Sequence, residues 1–235
     1  MHNGLEGNNL IYVTGDTHGE LSCFDNPLIR KLKRKDSLII CGDFGFLWDN
    51  TEDEKKNLKY LSKRRYQILF VDGTHENFDL LNSYPIVDYK GGKARKISNN
   101  IYYLMRGQIY EIDGKTVFAF GGGESPEKEL RMQMGKWWKQ EMPTLSEMRD
   151  AFENLKRHGL KVDYVISHEP SAYVRNMIDH KSDINSVAAF FDGLEKNITF
   201  TKWFFGSQHI DRKITSKHYA LFDSVIPVEP KKKRK

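Results

Sequence analysis

The chain has 235 residues, of which 39% are hydrophobic, and this is enough for one sizeable buried core in a single domain. No apolar run approaches the roughly 20 residues of a membrane-spanning helix, so we expect no membrane span. The net charge is +5, and the last five residues, KKKRK, carry five positive charges. The remaining body is therefore balanced, which disfavours specific binding of duplex nucleic acid.

The two ends of the chain are predicted to lie outside the folded domain. Residues 1–9 have no apolar signal-peptide region, and we expect them to be disordered or added for expression. Residues 227–235 form a basic, disordered tail, and its PKKKRK resembles a nuclear-import signal. The domain is thus predicted over 10–226. Two cysteines are too few for a disulfide framework, which favours the cytoplasm, or the nucleus if the tail is native and acts as an import signal.

Five segments share one arrangement, in chain order. Each begins with a short apolar run and ends at Gly or Ser, and Asp or His follows within three residues. The segments are LIYVTGDTHG (10–19), SLIICGDFG (37–45), QILFVDGTHEN (67–77), DYVISHEP (163–170) and KWFFGSQHID (202–211). Short apolar runs bounded by glycine predict buried strands, and small residues at their ends allow sharp turns.

The segments between these strands predict helices and further strands. Helical patterns cover 24–33, 52–64, 144–157 and 184–194. Successive antiparallel strands are predicted over 101–104, 108–112 and 116–120, with a tight turn at Asp113-Gly114. A last hairpin is predicted over 210–215 and 218–222. The alternation of strands and helices indicates an α/β fold.

The ends of the five predicted strands carry mostly carboxylate and imidazole side chains. They are Asp16, His18, Asp43, His75, His168 and His209. Because loops at the carboxyl ends of strands line the functional crevice of α/β folds, these side chains are expected to meet at one rim. Strand ends drawn by chance would carry mixed polar residues, so the pattern predicts a metal site.

These motifs resemble those of the calcineurin-like metallophosphoesterases, whose pattern is D-x-H, G-D, G-N-H-E/D, a lone His and G-H-x-H. The corresponding residues are Asp16-Thr17-His18, Gly42-Asp43, Gly73-Thr74-His75-Glu76, His168 and Gly206-Ser207-Gln208-His209. The fuller strings GDFGFLWD, HENFDLLNSYP, LMRG and FGGG look like a small bacterial and phage subgroup. The resemblance implies two mixed β-sheets packed face to face and flanked by helices, a four-layer αββα sandwich.

The resemblance also implies a two-metal hydrolase. Two metal ions neutralise the negative phosphoester and lower the pKa of a bridging water. Asp43 corresponds to the carboxylate that bridges both metals, and Asp16, His18 and His209 complete the first metal site. His75 corresponds to the general acid that protonates the leaving group.

The second metal site departs from the family pattern at two positions. His168 is present, but Thr74 stands where the family has Asn, and Ser207 stands where it has His. Neutral hydroxyls are poorer ligands for divalent metals than imidazole. We therefore expect a well-formed first site and a weak or vacant second site, with Mn, Fe, Zn or Ni all suited to the ligands.

Two further residues are candidates for substrate binding. Arg106, in LMRG, could hold a phosphate oxygen through its guanidinium, and a surface arginine at a hairpin is the alternative. Asn77 could hydrogen-bond the substrate, and a helix cap is the alternative.

Two functions follow as hypotheses. The first is a metallophosphoesterase that hydrolyses phosphodiester or phosphomonoester bonds of a phosphorylated small molecule or nucleotide. The alternative is a weakened or inactive descendant that binds a nucleotide or protein partner. The sequence leaves the substrate and the oligomeric state open.

Overall fold

The structure is a computed structural model, and it describes residues 10–180 and 184–229. Its strands are β1 Ile11–Thr14, β2 Ser37–Ile40, β3 Gln67–Phe70, β4 Ile86–Tyr89, β5 Gly92–Lys96, β6 Ile101–Leu104, β7 Gln108–Ile112, β8 Lys115–Phe120, β9 Tyr164–Ser167, β10 Lys202–Phe205, β11 Arg212–Lys213, β12 His218–Ala220 and β13 Ile226–Pro227. Its α-helices are α1 Glu52–Leu61, α2 Phe78–Ser83, α3 Lys128–Gln133, α4 Leu145–Arg157, α5 Ala172–Ile178 and α6 Ser186–Asn197.

The strands form two mixed sheets. The first has the order β13-β1-β2-β3-β6-β5-β4, and the second has the order β11-β12-β10-β9-β8-β7. Strands β1, β2, β3 and β6 are parallel in the first sheet, as are β8, β9, β10 and β12 in the second. Parallel neighbours bring their carboxyl ends to one edge of each sheet, which is where the five motifs lie.

The core has three apolar layers, each formed by buried side chains. The middle layer packs the two sheets against each other, with Ile39 from the first sheet and Phe204 from the second. An outer layer joins the first sheet to α1 through Leu61, and another joins the second sheet to α6 through Phe191. The expected αββα sandwich is confirmed.

The predicted helix over 24–33 is wrong. The chain forms two short 3-10 helices there, Leu21–Asp25 and Ile29–Lys31. Asn26 is extended, with φ −55° and ψ 131°, because the residue before a proline is excluded from the α region by the proline ring. Pro27 thus divides the predicted helix.

The prediction of three successive antiparallel strands is half wrong. Strands β7 and β8 are antiparallel, with Asp113 and Gly114 at positive φ in the turn between them. Strand β6 instead joins the first sheet, parallel to β3, so the chain crosses between sheets after Leu104. Local sequence pattern indicates a strand but does not indicate which sheet it joins.

The end of the domain differs from the expected boundary at residue 226. That position falls inside β13, which pairs with β1 at Tyr12 and Pro227, and Val228 is buried. The segment 1–9 and the PKKKRK tail over 230–235 lie outside the described residues. Within the described part of the chain, no helix is both long and apolar enough to cross a membrane.

Candidate metal centre

The site lies where strands of both sheets end. Asp16 follows β1, Asp43 follows β2, His75 follows β3, His168 follows β9 and His209 follows β10. Three of these turns place His18, Asp43 and His209 at positive φ, between 46° and 47°. This left-handed conformation costs roughly 1–2 kcal/mol for a residue other than glycine, and such strain is concentrated at functional sites.

The first group of ligand atoms contains Asp16, His18 and His209, whose donor atoms all lie within 4.8 Å of one another. His209 Nε2 is 3.3 Å from Asp16 Oδ2 and 3.3 Å from His18 Nε2. The hydrogen bond to Asp16 raises the pKa of His209, whereas burial lowers the pKa of His18. One carboxylate and two imidazoles at this spacing suit a divalent transition metal.

The second group contains Asp16, Asp43 and His168, all of them buried. His168 Nδ1 is 3.4 Å from Asp16 Oδ1, and His168 Nε2 is 3.6 Å from Asp43 Oδ1. Burial alone would lower the pKa of His168, but the two carboxylates outweigh burial and raise it to about 10. The same two carboxylates that favour protonated His168 would also favour a bound cation, as a metal site requires.

The third group contains His18, Asp43 and His75. His75 Nδ1 is 2.8 Å from Asp43 Oδ2, and the backbone N–H groups of Thr74 and His75 donate to Asp43 Oδ1 at 2.6 Å and 2.8 Å. Burial would raise the pKa of Asp43, but His168 and His75 outweigh it and lower the pKa. Asp43 therefore stays ionised between the imidazoles of His168 and His75.

Thr74 and Ser207 contribute backbone N–H groups at the site. The N–H of Thr74 donates to Asp43, and the N–H of Ser207 donates to Asp16 Oδ2 at 3.0 Å. The Ser207 hydroxyl accepts a hydrogen bond from the side chain of Gln208 at 2.9 Å. These contacts hold the carboxylates in place.

Two glycines of the motifs are required because a carboxylate lies against the backbone at each position. A Cβ on Gly73 would lie 2.1 Å from Asp43 Oδ1, and a Cβ on Gly206 would lie 2.1 Å from Asp16 Oδ1. Any side chain at either position would push a carboxylate away from its place.

Comparison with known proteins assigns the family. The sequence profile of the calcineurin-like phosphoesterases matches residues 10–210. The chain belongs to this family. No curated protein matches the chain. A solved phosphopantetheinyl hydrolase from Mycobacterium tuberculosis is similar, with 15% identity and a TM-score of 0.42 over 92% of this chain and 90% of that chain.

The two predicted substrate-binding residues of this phosphoesterase have protein partners. The Arg106 guanidinium pairs with the buried Asp72 carboxylate and also reaches Glu147, and its side chain is only 6% exposed. Asn77 caps α2 by accepting from the N–H groups of Asp79 and Leu80. Substrate binding by Arg106 and Asn77 stays a prediction, which these contacts do not favour.

The sequence interpretation missed two buried residues beside the calcineurin-like site. Glu76 accepts from the N–H of Phe44 at 2.7 Å, and burial together with nearby Asp43 raises its pKa well above the usual value. Arg131, on α3, reaches Thr74 and His75 across the site. Glu76 could have been found from the sequence, because it directly follows His75. Arg131 could not, because the short polar helix α3 carries no pattern that points to the site.

A cavity of about 950 Å³ opens next to α3. It is lined in part by Glu127, Lys128, Leu130 and Met132, and Glu127 also accepts from Arg131 at 3.5 Å. Its size falls in the range of small-molecule pockets, and its lining combines charged and apolar side chains.

Proposed function

We propose that this calcineurin-like phosphoesterase is a metal-dependent hydrolase of phosphodiester or phosphomonoester bonds in a nucleotide-like substrate. The observation that carries the proposal is the overlap of three carboxylate–imidazole groups at Asp16 and Asp43.

The residues at the site fit divalent metals such as Mn, Fe, Zn or Ni, because ionised carboxylates and imidazoles are their common ligands. Bound metals would supply Lewis-acid stabilisation of the phosphoester's negative charge and would acidify water. Asp16, His18, Asp43 and His209 would hold the first metal, and Asp43 and His168 would contribute to the second.

The second metal position is the weaker one in this proposal. Thr74 and Ser207 would face that metal with hydroxyls where the family has an amide and an imidazole, and the Ser207 hydroxyl is already engaged with Gln208. The first position has a full set of charged or imidazole ligands. We infer one tightly bound metal and a second that binds weakly.

Hydrolysis of bis(4-nitrophenyl) phosphate with added manganese tests the enzyme proposal. The wild-type protein should turn over, and Asp43→Asn should lower kcat/KM by about 100-fold or more, because removing one principal electrostatic contact costs this much. Asp53→Asn, on the exposed face of α1, is the matched control and should keep full activity. Tight nucleotide binding without turnover with any divalent metal would instead support the alternative of an inactive binding protein.

The double change Thr74→Asn with Ser207→His tests whether the two hydroxyls weaken the second metal site. It replaces two hydroxyls by an amide and an imidazole, so the manganese content should rise from about one to about two ions per chain. Elemental analysis of the purified variant measures this number. An unchanged metal content and an unchanged rate would show that the two hydroxyls do not limit the second site.

A further inference from the structure

Two tryptophans form an aromatic wall beside His75. The ring centre of Trp48 lies 5.8 Å from that of His75, and the ring of Trp138 packs edge-on against Trp48 with the ring centres 5.5 Å apart. Trp48 lies in the loop after β2, and Trp138 lies between α3 and α4. Both residues are half-buried, so part of each remains accessible beside the proposed metal centre.

Hydrogen bonds hold both tryptophans in place. The indole Nε1 of Trp138 donates to Asp79 Oδ2 at 2.8 Å, and the backbone oxygen of Trp48 accepts from the Asn77 side chain at 2.8 Å. The guanidinium of Arg131 lies over the Trp48 ring, 5.6 Å from its centre. These contacts preorganise the aromatic wall, and a preorganised surface loses little side-chain freedom when a ligand binds.

Core packing accounts for only part of this arrangement. Trp138 packs in part against the outer apolar layer of the first sheet. Trp203, by contrast, belongs wholly to the core and is 1% exposed. The ring of Trp48 contacts His75, Arg131 and Trp138. A half-buried indole in this position offers a large apolar surface to a bound molecule.

A planar aromatic ring is the chemical group that best fits the aromatic wall. Stacking of a base on an aromatic side chain needs no particular base, because every base has a π-face. His75 Nδ1 is 2.8 Å from Asp43 Oδ2, so the wall adjoins the proposed metal ligands. A molecule whose phosphate binds at these ligands would extend past His75 along the wall.

We propose that Trp48 and Trp138 bind a nucleobase of the substrate, and that Trp48 thereby determines substrate specificity. The place of the base beside the hydrolysed bond rests on the proposed function. Binding of the base by the aromatic wall does not require hydrolysis, so the two can be tested separately.

Isothermal titration of the manganese-loaded protein tests binding of the base. Non-hydrolysable phosphonate analogues of adenosine 5′-monophosphate and of ribose 5-phosphate differ only in the base. The wild type should bind the adenosine analogue about 10-fold or more tightly, as stacking on an indole provides. Trp48→Leu should lose most of this preference and keep its affinity for the ribose analogue. Equal affinity of the wild type for both analogues, or an unchanged preference in Trp48→Leu, would overturn the proposal.

Tyr60, which is 44% exposed on α1, gives the control. Tyr60→Leu also removes a partly exposed aromatic ring and should keep the full preference for the adenosine analogue. Trp48→Phe, which retains an aromatic ring, should keep part of the preference. If Trp48→Leu does not fold, the wild type compared with Trp48→Phe still decides the proposal, and equal preference in these two proteins would count against it.

Kinetics with two esters separate the base site from the proposed function. The 4-nitrophenyl esters of thymidine 5′-phosphate and of methyl phosphate share one leaving group and differ in the base. Trp48→Leu should raise KM about 10-fold for the thymidine ester alone, whereas a disturbed His75 would slow both esters alike. Cleavage of neither ester by a wild type that prefers the adenosine analogue would contradict the proposed function and leave the base site standing. Cleavage of both esters with equal KM would overturn the base site and leave the proposed function standing.

Discussion

At the residue scale, Asp43 holds the centre of the site through both of its carboxylate oxygens. Oδ1 accepts two backbone N–H groups, and Oδ2 faces the imidazole of His75. The pKa of this buried carboxyl is nevertheless lowered, because His168 and His75 outweigh the cost of burial. The negative charge that a metal requires is thus already present in the folded chain.

His168 makes metal binding depend on pH. Its pKa is raised to about 10, so below that pH it carries a hydrogen that a metal must displace. Lowering the pH from about 8 to about 6 should weaken metal affinity about tenfold per pH unit for each hydrogen displaced. The second, weaker binding step in an isothermal titration with manganese measures this slope, because His168 would contribute to that site. His168→Asn should have a shallower slope, and a wild-type affinity independent of pH would contradict the assignment.

Site residues were predictable where local sequence placed them at a strand end. Asp16, Asp43 and His168 each follow a short apolar run directly, and the turn fixes their direction. Arg131 reaches the site from a helix far along the chain, and its contact with His75 depends on how α3 packs. No periodicity in the sequence indicates how α3 packs against the site.

At the element scale, glycine at the strand ends lets the two halves of the site approach. Gly73 ends the β3 motif against Asp43, and Gly206 ends the β10 motif against Asp16. These contacts belong to strand–turn units, and the short distances explain why both motifs require glycine.

Gly73→Ala should disrupt metal binding and also lower the melting temperature, because the added Cβ would lie 2.1 Å from Asp43 Oδ1 and 2.6 Å from the Asp43 backbone nitrogen. The added Cβ would displace the Asp43 carboxylate, and loss of such a supporting contact costs about 10- to 100-fold in metal affinity. Manganese titration measures the loss, with the melting temperature followed in parallel. Gly193→Ala in α6, where a Cβ meets nothing within 4 Å, is the control and should keep full affinity. Equal affinity in both variants would refute this account of the turn.

Elements with a strong local signal were predicted correctly, and elements governed by tertiary packing were not. Helix α4 forms where a helix was predicted over 144–157, and it begins with a capping box of Thr144 and Glu147. The hairpin of β4 and β5 went unpredicted because its strands are short and largely polar, and Pro27 broke a helix that apolar spacing alone had suggested.

At the scale of the whole molecule, two sheets with parallel central strands bring distant segments of the chain together. His18 and His209 are 191 positions apart in sequence, yet their Nε2 atoms are 3.3 Å apart. The resemblance of the five motifs predicted this arrangement, because it supplied the packing of one sheet on the other. Composition and periodicity alone gave only an α/β fold.

The most direct test of the central claim is anomalous diffraction from a crystal grown with manganese and inorganic phosphate. We expect a strong manganese peak among Asp16, His18, Asp43 and His209, and a weaker peak between Asp43 and His168. Two peaks of equal strength would contradict the proposed asymmetry. The absence of any manganese at these residues would contradict the metallophosphoesterase function itself.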